Sequence, residues 1–304
     1  MGYDIIGDVH GQDGKLRALL GKLSYRQTDG AYRHPEGREA LFLGDLIDRG
    51  PGQIAVVDIV RRMMDAGSAR AIMGNHELNA IGFATADGNG GFLRPHTAEK
   101  TSQHPEFLSQ VGWGSSLHSE LVGWFKTLPP VLDLGKIRLC HAWWNSEFVD
   151  CLARNSRSDG SASEEFLLSS FRKGTVAYGA MEGITKGMEV RLPEGYSFTD
   201  HAGISRSKVR VRWWDAGATT YRTAAFVPKA QQDRIPEVVL PVKLGSDDPV
   251  PTFLGHYWLS GKPAVQSPTI AVLDYGAAID GPLVAYRWNG ERALDNGSFV
   301  EAGP

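Results

Sequence analysis

Cysteine is nearly absent. Cys140 and Cys151 are the only two in 304 residues, too few for a disulfide framework or a thiolate-rich metal site. No uncharged apolar run approaches the roughly 18 residues a membrane-spanning helix needs, and no basic segment leads into a short apolar one at the start. These absences set the expectation of a cytoplasmic protein with no membrane partner. An excess of one charge is also missing. With 32 basic and 35 acidic residues the net charge is −3, so no global field favours a stable nucleic-acid complex. Any attraction for an anionic ligand has to be local.

Glycine, by contrast, is abundant at 36 residues, above the usual share of about 7%, and implies many tight turns. Strand and helix signals alternate over the first 75 residues. Tyr3 to Ile6 and Ala40 to Leu43 are short apolar runs. Between them Leu16, Leu19, Leu20 and Leu23 share one helical face. Pro51 opens a second helical segment, harmless in a first turn, and Ala69 to Met73 reads as a third strand. This β-α-β-α-β order favours a right-handed, largely parallel sheet, whose ligands gather at the C-terminal strand ends. Further on, Leu117 to Leu128 is amphipathic. Val131 to Leu134 and Ile137 to Cys140 read as a hairpin that delivers His141. Strands at Thr252 to Leu254, Ile270 to Leu273 and Leu283 to Trp288 follow, the last with an Asn289-Gly290 turn. Residues 78–115 and 145–250 read as irregular insertions, with a helix at Glu164 to Phe171 and a strand at Lys208 to Trp214. The expectation is one domain over 1–304 carrying two insertions.

The strand ends carry a recurring chemistry: Asp8, His10, Asp45, Asp48, Arg49, Asn75, His76, His141 and His256. Taken singly, each Asp or His is better read as a cap or turn residue. Taken together, a carboxylate, imidazole and amide set suits divalent Mn, Fe, Zn or Co. Two rival readings fail. His76-Glu77 would need a histidine at position 80 for a zinc-protease helix, where Ala80 stands. Gly7, Gly11 and Gly14 do not have the dinucleotide-binding spacing.

The ordered motifs Gly7-Asp8-Val9-His10-Gly11, Gly44-Asp45-Leu46-Ile47-Asp48-Arg49-Gly50, Gly74-Asn75-His76-Glu77, His141 and Gly255-His256 resemble the calcineurin-like metallophosphoesterases. The likeness is to the branch containing the Ser/Thr protein phosphatases and the bacterial diadenosine-tetraphosphate hydrolases. It implies an α/β fold of two facing mixed sheets flanked by helices, holding two divalent ions, Mn foremost, with Fe, Zn, Co or Ni as alternatives. On this resemblance Asp8 and His10 bind the first ion, Asp45 bridges both, and Asn75, His141 and His256 complete the second. Asn75 and Arg49 face the substrate phosphate, His76 is the general acid and Asp48 orients it. A metal-bridging hydroxide is expected to attack phosphorus in line. Many relatives end in Gly-His-x-His. Here Gly255-His256-Tyr257-Trp258 lacks the second histidine, so the first ion loses one protein ligand.

The resemblance puts phosphomonoester hydrolysis of the Ser/Thr phosphatase type first. Hydrolysis of dinucleoside polyphosphates is the alternative, and an inactive phospho-ligand-binding module is a reading of another class. The partner is accordingly a phosphorylated protein, nucleotide or small phosphomonoester. Relatives place a second phosphate-gripping arginine between His141 and His256. Arg206, Arg210 and Arg212 are candidates that spacing does not separate. Glu77 is either a support for the site or a helix cap. Asp274-Tyr275 closes another strand. The pairs Trp143-Trp144 and Trp213-Trp214 are either pocket walls or core. His34, His96, His104, His118 and His201 have no ligand spacing and read as loop or surface residues.

Overall fold

The computed structural model describes residues 2–200 and 203–303; His201 lies outside them. Two mixed sheets face each other. In the first, Tyr3–Ile6 lies beside Glu39–Phe42, and Glu39–Phe42 beside Ala69–Ala71, all parallel. Leu283–Trp288 adds antiparallel to Tyr3–Ile6, and Phe299–Ala302 closes that edge. In the second, Arg138–Cys140, Thr252–Leu254 and Ile270–Val272 run parallel, with Val131–Asp133 antiparallel at one edge. The first sheet is thus less parallel than the order of its early elements suggests, because its last two strands return from the far end of the chain. Leu283–Trp288 reaches its partner across residues 289–298, so Asn289-Gly290 is not a two-residue hairpin turn.

Strand alternation builds the layers. Ile5, Leu41, Leu139, Phe253 and Ala271 point between the sheets and pack with Tyr286 and Trp288. Their neighbours Ile6, Ala40, Phe42, Cys140, Leu254 and Val272 point outward, into the cluster that holds the helices. Strands buried on both faces read as continuous apolar runs, which is why these were visible in sequence. The helices Asp13–Lys22 and Gln53–Asp65 supply Leu16, Leu19, Leu20, Val56, Val60 and Met63 to the outer cluster.

Residues 145–250 are more ordered than their composition suggests. Helices Ser146–Arg154 and Val176–Lys186 flank Glu164–Ser169. Glycines obscure the Val176–Lys186 helix in sequence, yet they serve its packing. A Cβ on Gly183 would sit 2.4 Å from the Phe148 ring, so only glycine admits the two helices at this distance. Residues 188–244 then gather a small apolar cluster of their own around Val209, Val211 and Tyr221. It is framed by the ribbon of Glu189–Arg191 with Lys208–Arg210. Among the described residues no helix is long and apolar enough to cross a membrane.

Candidate metal centre

Every motif residue sits just past a strand end, and the backbone there is unusual. Seven described non-glycine residues have positive φ, and five of them are His10, Asp45, Asp48, Arg49 and His256. Left-handed backbone costs a non-glycine residue free energy and persists where surrounding structure imposes it. The flanking glycines answer a separate need, close approach. A Cβ on Gly74 would lie 2.2 Å from Asp45 Oδ1, and one on Gly255 would lie 2.0 Å from Asp8 Oδ1.

Asp45 is the hub. Its Oδ2 lies 3.3 Å from His141 Nε2, 3.6 Å from His10 Nε2 and 3.9 Å from His76 Nε2. Its Oδ1 accepts the His76 backbone N–H at 2.8 Å. Around it, the ligand atoms of His10, Asp45 and His76 lie within 4.8 Å of one another, and so do those of Asp45, His141 and His256. Asn75 Oδ1 joins the second group, 3.2 Å from His141 Nε2 and 2.7 Å from His256 Nδ1. Asp8 is outside both groups but adjacent: its Oδ2 accepts the His256 backbone N–H at 2.9 Å.

The donor set fits divalent cations. The Nδ1–H groups of His10 and His141 donate to the carbonyls of Ile47 and Leu43. That arrangement fixes the tautomer and leaves Nε2 lone pairs facing Asp45. Asp8 Oδ1, His10 Nε2 and His256 Nε2 are buried without a hydrogen-bond partner among the described residues, a state that buried polar atoms rarely keep. The field agrees. Burial lowers the pKa of His10, helped by the His76 charge, to about 3, so its imidazole is neutral. Burial also disfavours charge on His141, but Asp45 and Asp8 draw its pKa up to about 10. A field that holds a proton so firmly also attracts a cation.

Glu77 is both cap and support. One oxygen accepts the N–H groups of Gly74 and Asp45 at 2.9 Å, the other that of Leu46 at 2.8 Å. One carboxylate therefore ties the ends of two strands together. Burial, with Asp45 nearby, raises its pKa to about 7. Glu77→Gln would turn an NH2 group toward buried N–H donors. It should lower stability by about 2 kcal/mol, read as a lower urea midpoint at unchanged m-value. A midpoint equal to the wild type would mean the clamp is dispensable.

Arg49 and His76 border the hub. The Arg49 guanidinium stacks 4.1 Å above the Trp258 ring and comes within 3.4 Å of His76 Nε2. Trp258 occupies the position where many relatives carry the second histidine, and here it supports the arginine instead. His76 Nδ1 lies 2.5 Å from Asp48 Oδ2. Burial opposes charge on His76, yet Asp45 and Asp48 hold its pKa above the ordinary value.

The three downstream arginines separate. Arg206 is exposed and pairs with Asp200 at 2.7 Å and Glu99 at 3.6 Å. The Arg212 guanidinium donates to the Thr223 carbonyl. After burial, the Arg210 charge is the main influence lowering the His256 pKa; the Nε atoms of Arg210 and Arg212 are both buried without a partner among the described residues. Asp274 is buried, accepts the Gly276 N–H at 3.0 Å, and has a pKa raised by burial to about 6. Tyr275 turns away, its hydroxyl accepting the Ala264 N–H. Trp213 and Trp214 are core residues, and the Trp213 Nε1–H donates to the Ala142 carbonyl.

Three histidines expected in loops or at the surface are buried: His34, His104 and His118 are 8%, 4% and 3% exposed. His96 is exposed, but its ring stacks between Phe83 and Phe92. His104 reaches the site itself, its Nδ1 lying 2.5 Å from Asp48 Oδ1. Nothing at its position signals this contact, 56 residues away along the chain. Pro105 after it shows only that a helix begins there.

Comparison with known proteins gives a consistent picture. A family model described as calcineurin-like phosphoesterase matches residues 1–179. The asymmetrical bis(5'-nucleosyl)-tetraphosphatase PrpE of Bacillus subtilis (strain 168) is 35% identical over 144 residues, 47% of this chain and 57% of that protein. The protein of the same name from Oceanobacillus iheyensis is 45% identical over 139 residues, 46% of this chain and 54% of its own length. The chain thus spans about half the length of these curated relatives, and less of others. A cold-active protein-tyrosine phosphatase from a psychrophilic Shewanella is 16% identical, with a TM-score of 0.53 over 99% of this chain and 80% of its own. A serine/threonine phosphatase from Saccharomyces cerevisiae is 13% identical, with a TM-score of 0.50 over 99% and 78%. At such identities the likeness is one of fold.

Proposed function

The chain belongs to the calcineurin-like phosphoesterases, and from that premise we propose that it hydrolyses a phosphoric anhydride of the dinucleoside tetraphosphate class with two divalent ions, Mn foremost. The observation that carries the reaction type is the convergence of unpartnered buried donors on Asp45, bordered by a guanidinium and a carboxylate-held imidazole. The substrate class is supported by the tetraphosphatase relatives. The resemblance put phosphomonoesters first, but ester and anhydride cleavage use the same centre, so the motifs do not separate them.

Asp8 and His10 would hold one ion, Asn75, His141 and His256 the other, and Asp45 both. Bound divalent cations there polarise a phosphoryl oxygen and make water a nucleophile near neutral pH. Arg49, flattened on Trp258, presents its planar fork to two oxygens of the scissile phosphate, and Arg210 grips the same group from the His256 side. His76 carries the proton for the departing oxygen on Nε2. Asp48 accepts from Nδ1, fixing the tautomer and favouring the imidazolium until the proton leaves. A pure phosphate-binding module has no need of such a proton donor.

Metal-stripped protein reloaded with Mn²⁺ should act on diadenosine tetraphosphate with kcat/KM at least about tenfold above that on a phosphopeptide or an aryl phosphate. Cleavage at an outer anhydride would yield a nucleoside triphosphate and a monophosphate. A phosphopeptide preferred over the dinucleotide would restore the phosphomonoester reading. Absence of turnover with every substrate and divalent metal would leave the binding-module reading.

A further inference from the structure

We infer that His104 is a positioning residue of the acid machinery, acting on His76 through the carboxylate that the two imidazoles share. The inference rests on the proposed hydrolase reading for its kinetic consequence, though not for its geometry. Asp48 has both oxygens engaged, Oδ2 with His76 Nδ1 and Oδ1 with His104 Nδ1, each at 2.5 Å. An ionised carboxylate only accepts, so both imidazoles must bring an Nδ1–H. That requirement sets the His76 tautomer and leaves its Nε2 facing Asp45 Oδ2 at 3.9 Å and the Arg49 guanidinium at 3.4 Å.

A carboxylate with one partner turns freely, because its terminal torsion is broad and two-fold. A second, opposed N–H removes that freedom. His104 is itself well fixed. It is 4% exposed, stacked on Phe107 at 4.9 Å and edge-on to Phe83 at 5.6 Å. Among the described residues its Nε2 is buried without a partner, and the hydrogen bond its ring makes there is the one to Asp48.

The support extends along one short helix. His104 caps Pro105–Val111. From the same helix Gln110 accepts the Gln53 N–H at 3.0 Å and donates to the Pro51 carbonyl at 2.6 Å. Gln53 in turn accepts the Asp48 N–H at 2.7 Å and donates to the Gly50 carbonyl. The positive-φ pair Asp48-Arg49 is therefore held at Asp48 directly by His104 and at its flanking backbone by Gln53, which Gln110 in turn braces, so the 78–115 insertion reaches the chemistry.

His104→Phe keeps the ring stack and removes the donor, while His104→Asn keeps a donor near the Nδ1 position. With Mn²⁺ loaded, His104→Phe should lower kcat on phenyl phosphate by about tenfold to a hundredfold, as losses of outer supporting partners do. It should leave metal content unchanged and the nitrophenyl phosphate rate within about threefold, because an activated leaving group asks little of the acid. His104→Asn should restore most of the loss. In an Asp48→Asn background His104→Phe should have no further effect, since the pathway is already cut. Equal losses on both esters, additivity with Asp48→Asn, or no recovery in His104→Asn would overturn the inference. A measurement independent of turnover is the downfield imidazole N–H proton spectrum. The wild type should show signals assignable to the His76 and His104 Nδ1–H groups, and His104→Phe should remove the second and shift the first. An unmoved His76 signal would refute the shared carboxylate even if the hydrolase reading itself failed.

Discussion

Asp45→Asn should abolish occupancy of at least one metal position and lower kcat by about a thousandfold, equivalent to roughly 4 kcal/mol of transition-state stabilisation. The substitution preserves shape, and an amide oxygen can still accept the His76 backbone N–H in place of Oδ1. What it removes is the charged Oδ2, around which the Nε2 atoms of His141, His10 and His76 lie at 3.3, 3.6 and 3.9 Å. In its place stands an NH2 donor that repels cations and protonated imidazoles alike. Elemental analysis after equilibration with excess Mn²⁺, beside a thermal melt to confirm folding, measures the effect. Two ions retained per chain would remove Asp45 from the bridging position.

His76→Ala should leave metal content intact and divide substrates by their leaving groups. In the proposed assignment the imidazole ligates nothing and serves to neutralise the departing oxygen. For a basic phenolate the loss should be about a hundredfold to ten-thousandfold, the usual worth of a positioned general acid. For nitrophenolate it should be small. A nucleotide phosphate, with a second pKa of about 6, is no more basic a leaving group than nitrophenolate, so the tetraphosphate should be about as insensitive as the nitrophenyl ester. A plot of log kcat against leaving-group pKa would steepen in the variant. Parallel lines for wild type and variant would show that His76 serves some purpose other than proton delivery.

Residues near the ends of the central strands were the readable part of this protein. Asp8, His10, Asp45, Asn75, His141 and His256 each follow an apolar run within a few positions. Glycines beside them meet a steric need that a sequence expresses directly, as at Gly74 and Gly255. The inter-sheet core was readable for a similar reason, since doubly buried strands such as Ile270–Val272 cannot carry polar alternation. What stayed hidden depends on partners remote in sequence. His104 meets Asp48 only because a helix from the insertion folds back on the loop. Trp258 supports Arg49 through a stack that no spacing encodes. Arg210 stands apart from Arg206 and Arg212 only when the surroundings of each guanidinium are compared. Substrate choice was least legible of all. The shared metal chemistry leaves ester and anhydride alike.

Arg210 rides on a ribbon whose apolar cluster, around Val209 and Tyr221, is its own, whereas the proposed metal ligands hang from the two large sheets. On the proposed reading, grip on the substrate and custody of the cations thus rest on different foundations. Exchange confined to the ribbon and its cluster should then change the preferred phosphorylated compound while the two sheets keep their shape.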